Sequence, residues 1–324
     1  MKLLDQKLTR IRSGKYRSKD FIIADAKDGD MGFGRTAPGP KRGENHLKSK
    51  PEYLAAMAEM TKSGLVDVML TSASSGELLH KQKLFAKSNV TLAVRLNDTT
   101  DIWSQRGGSY KEFPSQPFRT AKLGEARKFA DLGLYSVTYS NSVNHDLKSV
   151  ETFAQFREEA QKAKMRYFLE VFNPAFDIGL RGADLGAFIN DSIVRTLAGV
   201  TRAEYPLFLK MQYNGARAME ELASYDPQNL VVGILGGARG TTRDTFELAA
   251  QAERHGARVA LFGRKINLAE SPVKLVELMR AVIEKDLTAS EGVKAYHDHL
   301  AKNRLDPDRH IAEDVEITDP VLKG

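Results

Sequence analysis

The sequence predicts an α/β fold, a (β/α)8 barrel with an extra C-terminal helix. Three observations carry that expectation. Eight short apolar runs recur along the chain, the stretches between them have helical spacing, and the eight units occupy about 250 residues, the usual size of such a barrel. An open doubly wound sheet is the competing arrangement. It is disfavoured because no Gly-x-Gly-x-x-Gly follows the first run.

The runs are, in order, residues 21–24, 66–70, 90–94, 135–139, 167–171, 207–211, 230–235 and 259–262. β-Branched and aromatic residues are prominent in most of them, as expected of buried parallel strands. Ser49-Lys50-Pro51-Glu52 is a capping box, with Tyr53, Met57 and Met60 at helical spacing behind it and Gly64 as the stop. Thr241 to Asp244 opens another helix in the same way. Its inner face is Phe246, Ala249 and Ala250, and Gly256 closes it. Thr288 to Glu291 caps a last helix in a C-terminal extension near 286–324, which either packs on the barrel or makes a homo-oligomer contact. Two long polar, glycine- and proline-containing stretches, 27–48 and 98–120, follow the first and third runs. Loops at that end of a barrel serve as active-site lids or as surface decoration. The whole, residues 1–324, is read as a single domain.

Composition narrows the function classes. Of 324 residues, 42% are hydrophobic and 28% charged, so a packed core is expected rather than disorder. No apolar run approaches the ~18 residues of a membrane span, and Met1 to Lys7 is too polar for a signal peptide. A cytoplasmic protein without a membrane partner is therefore expected. The absence of cysteine removes disulfides, thiolate metal sites and thiol nucleophiles. The net charge of +6 is spread along the chain, which suits small anionic substrates better than nucleic acid.

A barrel presents its chemistry at the C-terminal ends of its strands. There the sequence places Asp25, Ser72 and Ser74, Arg95, Tyr139 and Asn141, Glu170 and Asn173, and Lys210 with Gln212 and Tyr213. Lys210 interrupts an apolar strand. It is either an amine made nucleophilic by lost hydration or a lysine neutralised by a carboxylate. Glu170 interrupts the preceding strand, next to Lys210 in a barrel, and reads as a proton shuttle or as a structural ion-pair partner. Asp25 could hold a hydroxyl or a second lysine, with Asp28 and Asp30 as rivals. Gly236-Gly237 after the seventh run and Gly263-Arg264 after the eighth fit a phosphate site, through backbone amides and a bidentate guanidinium. The seven histidines, His46, His80, His145, His255, His297, His299 and His310, fall at no predicted strand end, which argues against a metal site.

Together Phe168-Leu169-Glu170, Leu209-Lys210, Gly236-Gly237 and Gly263-Arg264 resemble the class I aldolases of the (β/α)8 type, the archaeal-type fructose-bisphosphate and tagatose-bisphosphate aldolases. The resemblance covers roughly residues 165–270. It implies a Schiff-base lysine at Lys210, an acid/base glutamate at Glu170, and a phosphate held by the two glycine loops. The tagatose type has a lysine on its fourth strand where this chain has Thr138 or Tyr139. The archaeal type has a tyrosine beyond its fifth strand where this chain has Phe172-Asn173. The implied function is metal-independent cleavage or formation of a carbon–carbon bond in a phosphorylated ketose or related sugar. Asp25 would orient the amine, Tyr139 or Tyr213 would assist proton transfer, Arg95 and Gln212 would contact substrate, and no cofactor would be needed. An imine-forming lyase or transaldolase-like enzyme on a sugar acid, and a non-catalytic sugar-phosphate-binding barrel, are the alternatives.

Overall fold

Strand alternation decides which side chains enter the barrel and which face the helices. The computed structural model describes residues 2–323. Eight strands close in the order β1 (Ile22–Lys27), β8 (Val259–Phe262), β7 (Gly233–Leu235), β6 (Leu209–Met211), β5 (Arg166–Phe172), β4 (Leu132–Thr138), β3 (Thr91–Arg95), β2 (Val68–Thr71). Neighbouring strands pair parallel all the way round. Each of the eight apolar runs overlaps one strand. The chief departures are at β4, which begins earlier, and β7, which is trimmed to three residues.

Residues two apart share a face of a strand. Ala24, Ala26, Leu70, Leu134, Phe168, Phe208 and Leu261 fill the barrel interior. Ile23, Met69, Tyr135, Leu169, Leu209 and Phe262 point outward into the layer beneath the helices. The base of the interior is plugged by a helix, Leu3–Arg12, whose Leu4, Leu8 and Ile11 share one face and are buried with the inner strand residues. Burying each such side chain contributes roughly 1.5–3 kcal/mol.

The capping boxes at Ser49, Thr241 and Thr288 all form. Gly64 takes the left-handed conformation that ends its helix. The helix Ala289–Lys302 packs on helices Pro272–Ile283 and Thr242–Arg254, and a short helix, Ile311–Asp314, follows it. The segment after it folds back as well. Asp314 accepts from the Thr242 amide, and Thr318 donates to Asp244. The extension therefore packs on its own barrel. In the stretch after β3, Asp98–Thr99 and Pro117–Phe118 form a two-stranded ribbon, and Trp103 packs edge-on against Phe118. Ser104 donates to Gly32 O in the stretch after β1, which joins the two loops over the mouth. No helix among the described residues is long and apolar enough to cross a membrane.

Candidate active site

A cavity of about 330 Å3 opens at the C-terminal ends of the strands, and Glu170, Lys210, Gln212 and Arg264 are in its wall. Arg95, Gly236, Gly237 and Gly263 line it too. A larger groove, about 470 Å3, lies at the opposite end near Arg12, Tyr167 and Leu207. It sits where strands begin, so the residues at their C-terminal ends do not reach it.

Register builds the centre of the cavity. Ser136 on β4, Glu170 on β5 and Lys210 on β6 are direct cross-strand partners and form one row across three strands. Glu170 is 1% and Lys210 5% exposed. Lys210 Nζ lies 2.5 Å from Glu170 Oε1. The other carboxylate oxygen accepts from Ser136 Oγ and from Arg95 Nη2, each at 2.8 Å.

Arg95 organises the carboxylates around it. Its Nε donates to Asp28 at 2.5 Å, and its Nη1 to Asp98 at 3.2 Å and Ser136 at 2.8 Å. Arg95 thus lines the cavity with its Nε, its Nη1 and one N–H of its Nη2 turned to protein acceptors. Burial pushes the Asp28 carboxyl up, but the charges of Arg95 and Lys210 outweigh it and leave the group below its ordinary value. Burial dominates at Asp98, whose carboxyl is pushed up to about 6 despite Arg95.

Asp25 and Tyr139 do not reach the cavity. Asp25 pairs in register with Met69 and Phe262, which face the outer layer, while its neighbours Ala24 and Ala26 face inward. Its carboxylate is buried against Lys27 Nζ at 2.7 Å. Asp28, three residues on, takes the place in the cavity expected of Asp25. Tyr139 also falls on the outward parity. Its hydroxyl hydrogen-bonds Thr196 at 2.6 Å on the covering helix Gly182–Ala198. Tyr213 likewise points outward and donates to Gln251.

Tyr53 is the tyrosine in the cavity wall. It is 2% exposed, and its hydroxyl makes no hydrogen bond among the described residues. Burial, reinforced by the carboxylates of Asp30, Asp28 and Asp25, holds that hydroxyl well above its ordinary value, so it stays a proton donor. Spacing alone marked Tyr53 as an inward-facing helix residue. Its place in the first turn after the capping box was the available hint, because that turn lies at the mouth.

Gly236 and Gly237 follow β7, and Gly263 follows β8. Gly237 has φ +64°, and a Cβ at Gly263 would come within 2.9 Å of Ala26 O, so both positions require glycine. Arg264 lies over the Phe33 ring at 5.2 Å and has no carboxylate partner among the described residues. Burial lowers its guanidinium from the ordinary value. Gln212 accepts from the Asn173 amide, which ties β6 to the loop after β5. Ser72 sits away from the cavity, bonded to Asp30. No three His, Cys, Asp or Glu side chains among the described residues are grouped so as to hold a metal ion.

No family model and no curated protein sequence matches the chain. Solved structures do match it. A crystal structure of an archaeal fructose 1,6-bisphosphate aldolase superposes with a TM-score of 0.63 at 16% identity, covering 87% of this chain and 99% of that one. An archaeal fructose-1,6-bisphosphate aldolase with its catalytic lysine covalently bound to the carbinolamine intermediate gives 0.62 at 17%, covering 87% and 99%. A protein from Corynebacterium glutamicum gives 0.59 at 17%, covering 88% and 98%. At these identities the likeness is one of fold: this chain is a (β/α)8 barrel of the fold shared by the archaeal Schiff-base aldolases.

Proposed function

We propose that the chain is a class I aldolase that makes or breaks a carbon–carbon bond in a phosphorylated ketose or related sugar, with Lys210 as the imine-forming amine. The observation that carries this reading is the buried Lys210–Glu170 pair, 2.5 Å apart in the wall of the cavity. The carboxylate can take a proton from the ammonium, and the free amine can then add to a ketone carbonyl. Loss of water from the carbinolamine leaves an iminium. When the hydroxyl on the β-carbon gives up its proton, the carbon–carbon bond breaks, its electrons flow into the iminium, and an aldehyde departs. Protonation of the resulting enamine and hydrolysis of the imine restore Lys210.

Glu170 serves as the proton carrier in this scheme, with Asp28 and Arg95 fixing its surroundings. Tyr53 replaces Tyr139 as the second proton donor. Arg264 and the loops at Gly236-Gly237 and Gly263 take the phosphate, and the loops 27–48 and 98–120 close the mouth. The test is borohydride reduction in the presence of ketose phosphates, followed by mass mapping. A covalent adduct at Lys210, absent in Lys210→Met, is expected. Full aldol activity in Lys210→Met would refute the reading. An adduct without aldehyde release would leave an imine-forming enzyme of another reaction.

A further inference from the structure

We infer that the cavity accepts a ketose with a single phosphate, and that the end of the sugar facing Asp101 is an uncharged polyol. This rests on the aldolase reading above. Asp101 is fully buried in the loop after β3 and lines the cavity. Its Oδ2 accepts the Ala175 amide at 3.1 Å, which fastens that loop to the one after β5. Its Oδ1 has no hydrogen-bond partner among the described residues.

A buried carboxylate oxygen without a donor is costly, and a hydroxyl entering from the cavity supplies the missing hydrogen bond. A second phosphate there would instead meet a like charge in a poorly hydrated site. The cations of the wall support the same assignment. Arg95 is bound to Asp28, Asp98 and Glu170, and Lys210 is paired with Glu170. Arg264 has no carboxylate partner among the described residues, and its exposed guanidinium is held over the Phe33 ring in the wall shared with Gly236, Gly237 and Gly263, so it provides one anion site. Lys111 also reaches the wall without a salt bridge among the described residues, but no contact fixes its exposed ammonium as the Phe33 ring fixes Arg264, and a lysine lacks the bidentate fork of a guanidinium, so it holds an anion weakly.

The experiment compares ketose monophosphates, phosphorylated at carbon 1 or carbon 6, with the corresponding bisphosphate on the full chain. Trapping at Lys210 and kcat/KM are both read. One of the monophosphates is expected to exceed the bisphosphate by at least about tenfold in kcat/KM. Asp101→Asn keeps an oxygen for the Ala175 amide and removes the charge, so it should shrink that ratio toward one. Arg264→Ala should raise KM for the favoured monophosphate and leave unphosphorylated ketose unaffected. A wild-type preference for the bisphosphate overturns this inference while leaving the imine reading intact, and its loss in Lys111→Ala would assign the second phosphate to that lysine. An unchanged ratio in a folded Asp101→Asn also overturns it. Trapping with no ketose at all ends the aldolase reading and this inference together.

Discussion

Under the proposed aldolase reading, Glu170→Gln should separate imine formation from the proton transfers that follow it. The carboxylate has three neighbours: Lys210 on one oxygen, and Ser136 and Arg95 on the other. A carboxamide has only one acceptor oxygen. If that oxygen stays with Ser136 and Arg95, the amide nitrogen turns toward Lys210, a donor facing a donor. Removing one member of a buried ion pair costs about 3–5 kcal/mol. The loss should fall at the lower end here, because Asp28 remains close enough to act electrostatically on Lys210. At roughly 2–4 °C per kcal/mol, the melting temperature should drop by about 6–12 °C, leaving a folded protein at room temperature. The rate should suffer more. Loss of a positioned acid/base group lowers kcat by roughly 10²–10⁴, while Lys210 can still add to a carbonyl. The assay is paired: aldehyde release in the steady state, and borohydride trapping on the same preparation. A variant that still traps substrate but turns over at least a hundredfold more slowly is expected. Turnover within tenfold of wild type would refute the role of Glu170 in proton transfer. Loss of trapping in a folded variant would show that it acts on the amine instead.

Three further outcomes follow from the same site. Tyr53→Phe deletes a hydroxyl that bonds none of the described residues, so stability should change by less than about 1 kcal/mol while kcat falls by roughly 10²; denaturation and turnover assays check both. Tyr139→Phe should do the reverse, costing about 1 kcal/mol through the lost bond to Thr196 with kcat and KM unchanged. For Asp98, burial raises the folded-state pKa to about 6, above the ordinary carboxylate value. The folded state therefore holds the proton more tightly, and stability declines as pH rises from about 4 to about 6. Asp98→Asn should gain stability over wild type across that window, by at most about 3 kcal/mol at higher pH. A stability difference that does not vary between pH 4 and 7.5 in urea titrations would contradict this.

Local pattern alone was enough to locate the barrel's strands and helix starts. Apolar runs bounded by glycines and capping boxes mark strands and helices wherever they occur, so eight strands and the caps at Ser49, Thr241 and Thr288 were legible. Lys210 and Glu170 were legible for a related reason: a charge within an apolar strand is conspicuous, and adjacent strands bring such charges together. The face on which a strand-end residue lies was not legible, because it depends on register and on the residue at which each strand enters the sheet. A shift of one residue sends a side chain to the opposite side. That is why Asp25 and Tyr139 belong to the outer layer, whereas Asp28 and Tyr53 reach the cavity. Long-range partners were equally hidden. Arg95 reads as a free cation at a strand end until the fold brings Asp28, Asp98 and Glu170 around it, and Asp101 reads as a loop aspartate until two loops enclose it. Sequence by itself determined the barrel and its buried Lys210–Glu170 pair, since both follow from periodicity and strand order. Tertiary structure decided which of the remaining polar groups face the cavity, because that depends on closure, register and the joining of loops distant in sequence.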